Sequence, residues 1–321
     1  MPRLRPFTQV DVFTATPYFG NALAVVLEAG DLSAADMQRF ALWTHLAETT
    51  FILPPTPEAA AAGADYQVRI FTTAYEMPFA GHPTLGSCHA WLESGGVPKD
   101  PDCIVQQCQL GLVRIRRAGT RLAFAAPALQ RRTVDAALLP ALLAALGLQP
   151  EQLRASQHLV NGPSYFGLLL HDRQTVLALE PDFAALKAVL AQGGCSGVGV
   201  AAVTEPDSPL GSGLIRRSNR EARAFGASRP AAAGVADSEE PSVEVRMFVS
   251  DSVVAEDPVT GSFNASLAQW LMAQGHAPTR YVAAQGTCIG RAGRVYLEQD
   301  ADGQVWVGGD SVSCISGTLV L

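Results

Sequence analysis

The chain lacks any uninterrupted apolar run long enough to cross a membrane, and no apolar signal-peptide core follows Met1. Its six cysteines show neither CxxC spacing nor the density of a disulfide scaffold. These absences argue against a membrane protein and against a disulfide-rich secreted one. We therefore expect a cytoplasmic protein with reduced thiols.

The motifs that hold nucleotides are also missing: no GxGxxG opens a helix after a strand, and no GxxxxGK[ST] occurs. His82 and His89 lie seven residues apart without a matching carboxylate pattern, which is not the spacing of a zinc site. The net charge is −7, and no Lys/Arg block stands out beyond the arginines near 216–229. The sequence thus predicts no cofactor, no metal and no nucleic-acid partner.

What the chain does contain is one strand-to-helix segment written twice, at 68–87 and at 245–262. Each copy begins with a strand-like tetrapeptide, VRIF or VRMF, and ends in Pro-x-x-Gly-Ser. The tetrapeptides are 177 residues apart and the Pro-x-x-Gly-Ser pieces 175 apart, in a chain of 321 residues. Two offsets near half the length indicate a duplicated domain.

Both copies predict a strand, a turn and the start of a helix. Pro83 and Pro258 suit the first turn of a helix, where a missing N–H costs nothing. A helix start offers free N–H groups and a partial positive charge, which together attract an anion. If a pseudo-twofold axis relates the domains, the two helix starts would face each other across one cleft that suits a small carboxylate.

Short strands alternate with one central helix in each half, which predicts an α+β fold rather than a doubly wound sheet. The second half is predicted to begin near residue 128, and a loop is expected at 54–63. Residues 205–242 are rich in Ser, Pro, Ala, Gly and Arg and lack apolar periodicity. We expect this segment to be a flexible insertion in the second domain.

Glu48 stands at the junction between a predicted helix and the strand-like run 49–53. A glutamate in such a place is usually a solvated carboxylate at a helix end. Here the strand is apolar and heads for the core, so the carboxyl group is expected to be half-buried. Partial burial raises the pKa of a carboxyl group and suits it to acid/base catalysis near neutral pH.

His82 lies in a turn at the first predicted helix start, and Glu256 with Asp257 lies in the turn that we expect to match it in the second half. A lone histidine is more often structural, and an acidic pair can simply favour a helix dipole. Gly81 and Pro83 nevertheless confine His82 to the turn where an anion would bind. We therefore expect His82 and Asp257 to converge on one substrate.

These motifs resemble the PhzF-like family of phenazine-biosynthesis proteins. The matching segments are Phe79–Thr84, Glu48–Phe51, Glu256–Ser262 and the opening Asp11–Phe13 with Gly20–Val26. They are spread across nearly the whole chain in the family's order. The family has the diaminopimelate-epimerase fold: two pseudo-symmetric domains, each a rolled, mostly antiparallel sheet around a central helix. In that fold the last strand returns to the first domain, which implies domains of 1–127 plus about 311–321, and 128–310.

The type enzyme of this family isomerises trans-2,3-dihydro-3-hydroxyanthranilate without a cofactor, and homodimers are usual. The resemblance implies a cofactor-independent isomerase in which Glu48 moves a proton on a small carboxylate, assisted by His82 and Asp257. The residues that would line the pocket are Asn21, Gly81, Gly261 and Ser262. Phe263 departs from the smaller run usual at this point in the family and could narrow the pocket, which would change the substrate.

Two other functions remain open at this point. A racemase or epimerase of the same fold could use Glu48 and Asp257, because the two thiols of related racemases are absent from both predicted helix starts and Cys88 lies about a turn into its helix. A non-catalytic protein that binds small molecules could retain the same fold. Solvent deuterium distinguishes them: it would enter a stereocentre without double-bond migration in the first case and would not enter the ligand in the second.

Overall fold

A computed structural model describes residues 2–204, 240–250 and 255–321. The described chain has a mixed α/β fold and divides into two compact units: Met1–Ala126 with Trp306–Leu321, called unit 1, and Pro127–Val305, called unit 2. The resemblance had placed these boundaries at 127 and near 311. Nearly all of the expected insertion at 205–242 lies outside the described residues.

Among the described residues, unit 1 holds ten strands and three α-helices. The strands are β1 (Leu4–Val12), β2 (Asn21–Val26), β3 (Thr49–Leu53), β4 (Tyr66–Phe71), β5 (Glu76–Met77), β6 (Cys103–Cys108), β7 (Gly111–Ala118), β8 (Arg121–Ala125), β17 (Val305–Gly309) and β18 (Ser311–Val320). The helices are α1 (Ala34–Thr44), α2 (Pro57–Ala61) and α3 (Gly81–Glu93). The C-terminal strands return to this unit, where β18 pairs with β1 and β17 with β8.

Unit 2 holds the remaining described elements. Its strands are β9 (Gln130–Arg132), β10 (Leu153–Val160), β11 (Ser164–Leu170), β12 (Gly197–Val203), β13 (Val243–Val249), β14 (Glu256–Asp257), β15 (Arg280–Gln285) and β16 (Gly293–Gln299). Its helices are α4 (Leu139–Leu146), α5 (Arg173–Ala178), α6 (Phe183–Gly193) and α7 (Gly261–Ala273). None of the helices in the described parts of the chain has both the length and the apolar character needed to span a membrane.

The two units repeat one order of strand pairing. In unit 1, β1–β2 is antiparallel, β2–β3 parallel, β3–β4 and β4–β5 antiparallel, β4–β6 parallel and β6–β7 antiparallel. In unit 2, β10–β11, β11–β12, β12–β13, β13–β14, β13–β15 and β15–β16 follow the same order of directions. In each unit a long helix, α3 or α7, follows the short strand and is buried along most of its length. The internal repeat is therefore a repeat of topology.

The repeated tetrapeptides occupy equivalent strands and make equivalent contacts. Arg69 in β4 forms a two-bond ion pair with Glu76 in β5, with Nη2–Oε2 and Nε–Oε1 distances of 2.6 and 2.7 Å. Arg246 in β13 does the same with Glu256 in β14, at 2.7 and 3.0 Å. Each guanidinium also lies over the phenylalanine that ends its own tetrapeptide. The pair fixes the short strand against the long one just before the helix starts.

The repeated Pro-x-x-Gly-Ser pieces, by contrast, are not equivalent. Pro83 is the third residue of α3, whereas Pro258 lies three residues before α7, so its predicted place in the first helical turn is wrong. Ser87 is consequently the seventh residue of its helix and Ser262 the second. The helix starts correspond at Gly81 and Gly261, an offset of 180 residues rather than 175.

Local signals explain several helix ends, and they also show where the sequence was misread. Ser33 is the N-cap of α1 and accepts a hydrogen bond from a backbone N–H of the first turn of that helix. Gly147 ends α4 in the left-handed conformation, which glycine adopts without strain. The expected loop at 54–63 contains the short helix α2, with Thr56 as its N-cap and Pro57 at its start. Short helices such as α2 have no apolar periodicity that a sequence could display.

Helix α7 of unit 2 packs against the sheet through an aromatic side chain, that of Phe263. Phe263 is completely buried, and its ring meets that of Tyr165 edge-on with centroids 5.7 Å apart. A Cβ atom added at Gly199 in β12 would lie 1.9 Å from Cζ of Phe263. The ring therefore belongs to the core of unit 2, which corrects the expectation that it narrows a pocket, and it requires a glycine opposite it.

We predict that Gly199→Ala destabilises the protein by about 1–3 kcal/mol or more, because the added methyl group collides with the Phe263 ring. The measurement is the urea-unfolding midpoint. Phe263→Leu, which shortens the obstructing side chain, is expected to recover part of the loss in the double variant. Additive effects of the two substitutions would contradict the packing described here.

Candidate functional site

The chain places Glu48 at the end of a turn and directly before β3. Helix α1 stops at His45, which has the left-handed φ of 56°, and this reversal sends the chain back toward the core. The Glu48 side chain is 17% exposed, which agrees with the half-buried position expected from the sequence. Thr49 and Thr50, which follow it, are completely buried.

His82 is the second residue of α3, and its side chain is buried. Its Nε2 lies 3.2 Å from Oε2 of Glu48, and its Nδ1 lies 3.3 Å from Nδ2 of Asn21. An amide nitrogen can only donate, so Nδ1 accepts and a neutral imidazole carries its proton on Nε2. That proton is on the Glu48 side of the ring, although the contact lacks hydrogen-bond alignment in this conformation.

Burial lowers the pKa of His82 to about 3, because the protein interior disfavours the charged imidazolium. His82 is therefore neutral at physiological pH. Its ring can donate one hydrogen bond and accept another, but it contributes no charge. The imidazole keeps its one proton beside the Glu48 carboxyl group. Because the ring does not take up a second proton, it does not compete with that carboxyl group for protons.

The helix start itself completes this part of the site. Gly81 opens α3, is buried, and has Ala80 before it in the N-cap position with no side-chain cap. The N–H groups of the first turn therefore have no partner within the helix and carry its positive dipole. The structure thus brings together Glu48, His82, Asn21 and Gly81 within unit 1.

In unit 2 the side chain of a buried glutamine holds the segment that directly precedes α7. Gln285 in β15 accepts from the N–H of Thr260, and its amide donates to the carbonyl of Asp257 at 3.0 Å. The Thr260 hydroxyl donates to a carboxylate oxygen of Asp257. These bonds fix the Asp257 backbone and one oxygen of its carboxylate four residues before the helix. Asp257 is neither fully buried nor fully exposed.

Gly261 and Ser262 are the first two residues of α7, and both are buried. The Ser262 hydroxyl shares a 2.9 Å hydrogen bond with the Tyr165 hydroxyl, and the Ser262 carbonyl accepts from Nδ2 of Asn161 at 2.9 Å. The sequence analysis missed Asn161 and Tyr165. An Asn-Gly-Pro turn after a strand was the available signal for the first of them, and nothing local marks the second.

The equivalences between the units correct one expectation. Glu256 and Asp257 lie on the short strand that matches β5, so they do not occupy the turn that matches His82. Counted from the helix starts, the counterpart of His82 is Ser262. The register of strand pairing also makes Gly197 the counterpart of Glu48. Each of these two residues directly precedes the residue that pairs with the phenylalanine of its unit's repeated tetrapeptide. At the described position that matches Glu48, unit 2 thus has a glycine and not a second carboxylate.

The described residues contain no thiol at either helix start. Cys88 is buried in the body of α3, where burial raises the pKa of its thiol to about 12 and keeps it protonated. In the described ranges no three His, Cys, Asp or Glu side chains are grouped as metal ligands.

We predict that His82 makes the protein less stable as the pH falls. The unfolded chain binds a proton near pH 6.5, but the folded protein does so only near pH 3, so stability falls progressively between these values. At pH 5 the loss attributable to His82 is about 2 kcal/mol. His82→Gln should flatten the dependence of urea-unfolding free energy on pH. Equal slopes for wild type and variant would contradict the buried neutral imidazole.

Comparison with known proteins supports the assignment of this chain to one protein family. A family model described as phenazine biosynthesis-like protein matches residues 10–209 and 221–317. An uncharacterized isomerase of Pseudomonas aeruginosa is 32% identical over 315 residues, 98% of each chain. The trans-2,3-dihydro-3-hydroxyanthranilate isomerase of the same organism is 33% identical over 183 residues, 56% of this chain and 62% of its own.

Among solved structures, a PhzF-family phenazine biosynthesis protein of Bacillus anthracis is similar with a TM-score of 0.76 at 20% identity, covering 99% of this chain and 100% of that one. At this identity the likeness establishes a common fold. Together with the family match, it confirms the resemblance read from the sequence motifs: the chain belongs to the phenazine biosynthesis-like (PhzC-PhzF) family.

Proposed function

We propose that this protein is a cofactor-independent isomerase that moves a proton on a small carboxylate substrate, with Glu48 as the acid/base residue. The observation that carries the proposal is the 3.2 Å contact of the Glu48 carboxyl group, on a partly exposed side chain, with a buried, neutral His82 at a helix start. Relatives named as isomerases support the reaction class.

Glu48 suits proton transfer because its Oε2 is buried while its side chain as a whole remains 17% exposed. A carboxylate can take a proton from one carbon and return it to another without a second base. The thiols that would serve a two-base racemase are absent from both helix starts among the described residues. For this reason we favour isomerisation by one carboxylate.

The two helix starts suit the carboxylate of the substrate. Gly81 and His82 open α3, and Gly261 and Ser262 open α7, so each start offers N–H groups that have no intrahelical acceptor. We propose that Asp257 acts on the same substrate as Glu48 and assists the proton movement. Its carboxylate is oriented by the Thr260 hydroxyl. A homodimer, usual in the family, stays a prediction that mass measurement in solution can test.

The direct test is proton NMR of trans-2,3-dihydro-3-hydroxyanthranilate incubated in D₂O with the wild type and with Glu48→Gln. We expect conversion by the wild type with deuterium in the product, and a loss of rate of about 10²–10⁴-fold or more in the variant. Ligand binding and the unfolding midpoint should change little, because glutamine keeps the size of the side chain.

Glu58→Gln is the matched control, because Glu58 lies exposed on α2 and should leave the rate unchanged. Full activity of Glu48→Gln would refute its acid/base role. Deuterium entering a stereocentre without migration of the double bond would show an epimerase instead. If the wild type neither converts nor exchanges this compound, the compound is not its substrate.

A second prediction concerns Asp257. Asp257→Asn keeps the size of the side chain but removes its charge, so the turnover number should fall by about 10²-fold or more while ligand affinity changes less. Asp302→Asn, in the exposed turn before β17, is the control in the same unit. An Asp257→Asn variant with the wild-type turnover number would show that Asp257 takes no part in the chemical step.

A further inference from the structure

Three side chains of unit 2 bring a sulfur, a nitrogen and an oxygen atom together. Sγ of Cys195 lies 3.5 Å from Nε2 of His158 and 3.6 Å from Oγ of Ser164. A 2.7 Å hydrogen bond joins the Ser164 hydroxyl to the same imidazole nitrogen. Thiolate sulfur and imidazole nitrogen are donor atoms that zinc prefers in proteins, and oxygen ligands can complete its coordination.

This cluster lies on the face of the sheet opposite to α7. Tyr165 follows Ser164 in β11, and its hydroxyl bonds to a residue at the start of α7. Successive residues of a strand point to opposite faces, so Ser164 points away from that helix. His158 pairs directly with Phe166, which belongs with Cys195 to the core formed with helices α4 and α6. The cluster is therefore separate from the start of α7.

The end of α6 fixes the place of Cys195. Gly194 ends that helix in the left-handed conformation, and the N–H of Cys195 then donates to the carbonyl of Leu190. The sulfur has three acceptors within 3.6 Å: the two side chains just named and the carbonyl of Gly193. One S–H group can donate to only one of them at a time, so the thiol proton alone does not account for this convergence.

The distances match those between ligands of one tetrahedral metal ion. With bonds of about 2.3 Å to sulfur, about 2.0 Å to nitrogen and about 2.1 Å to oxygen, sulfur lies about 3.5 Å from nitrogen and about 3.6 Å from oxygen. Sγ of Cys195 shows both separations. The 2.7 Å between Ser164 and His158 is shorter than the corresponding separation of about 3.4 Å, so their hydrogen bond opens when a metal ion enters.

The protonation states of the two stronger ligands suit a metal ion that displaces one proton. Burial and then the charge of Arg132 lower the pKa of His158, so the ring is neutral at physiological pH. Neutral imidazole is the form that binds metals, and the Nε2 lone pair that accepts from Ser164 is the one a metal ion uses. Burial raises the pKa of the Cys195 thiol, so the metal ion must displace its proton.

We propose that Cys195, His158 and Ser164 form a zinc-binding site in unit 2, with Sγ, Nε2 and Oγ as ligands and water in the fourth position. Binding releases the thiol proton, so the site gains one net positive charge. The bound ion ties the hairpin of β10 and β11 to the end of α6. Cys195 and His158 are 37 residues apart, which is why no short metal-binding motif is visible in the sequence.

The test adds Co²⁺, a spectroscopic substitute for Zn²⁺, to the reduced, metal-free protein. We expect the wild type to show a thiolate-to-cobalt charge-transfer band that saturates at one ion per chain and that Zn²⁺ abolishes by displacement. Cys195→Ser should lack the band. In His158→Gln the affinity should fall about 100-fold or more, because losing a residue that only supports a ligand already costs about 10–100-fold.

Cys103→Ser is the matched control, because it removes a partly exposed thiol of unit 1 and should keep both the band and the affinity. Zn²⁺ should also raise the urea-unfolding midpoint of the wild type but not that of Cys195→Ser, since an ion that binds the folded state stabilises it. Because His158 is only partly buried, His158→Gln tests the site even if Cys195→Ser disturbs the core.

Three results would each overturn the proposal: a wild type without the band, a band that survives in Cys195→Ser, or an unchanged affinity in His158→Gln. None of these measurements uses the enzymatic reaction. The zinc site and the proposed acid/base role of Glu48 can therefore fail independently of each other.

Discussion

The two-bond Arg–Glu pair that joins each repeated strand to the short strand after it is the constraint on which both helix starts depend. In unit 2 the side chains of Arg246 and Glu256 are only 6% and 7% exposed, so removing either partner would leave an uncompensated buried charge. Arg246 also donates to the carbonyls of Val176 and Leu179, which ties α5 to the same point. Because Glu256 directly precedes Asp257, this pair also sets where the candidate carboxylate stands.

Burial of the helix, rather than a set of charges, gives the candidate site of unit 1 its chemistry. Helix α3 is surrounded by strands, so the imidazole of His82 is shielded from solvent and stays neutral. Its two nitrogens then differ: Nδ1 accepts from Asn21, and the protonated Nε2 lies 3.2 Å from Oε2 of Glu48. Glu48 is the exception in this environment because it stands at the end of a turn and keeps contact with solvent.

The duplication conserved topology more strictly than chemistry. Both units repeat the order of strand pairing, the Arg–Glu pair and the buried helix, but Glu48 corresponds to Gly197 and His82 to Ser262. Unit 1 therefore holds the proposed acid/base residue, and at the matching positions unit 2 has a glycine and, at the start of α7, a serine. This division agrees with a reaction that uses one base, and the family relationship does not by itself require it.

The sequence by itself determined the family, the duplication and the strand that carries VRIF or VRMF, and it supplied Glu48, His82 and Asp257 as the proposed site residues. These features are local patterns of residues, and local patterns can be read without coordinates. Tertiary structure alone decided which repeated residues are equivalent. The Pro-x-x-Gly-Ser match proved to be out of register because helix starts are set by strand pairing, not by sequence offset. It also decided that Phe263 fills the space over Gly199 and that Asn161 lies beside Ser262, since contacts between residues distant in the chain leave no local trace in the sequence.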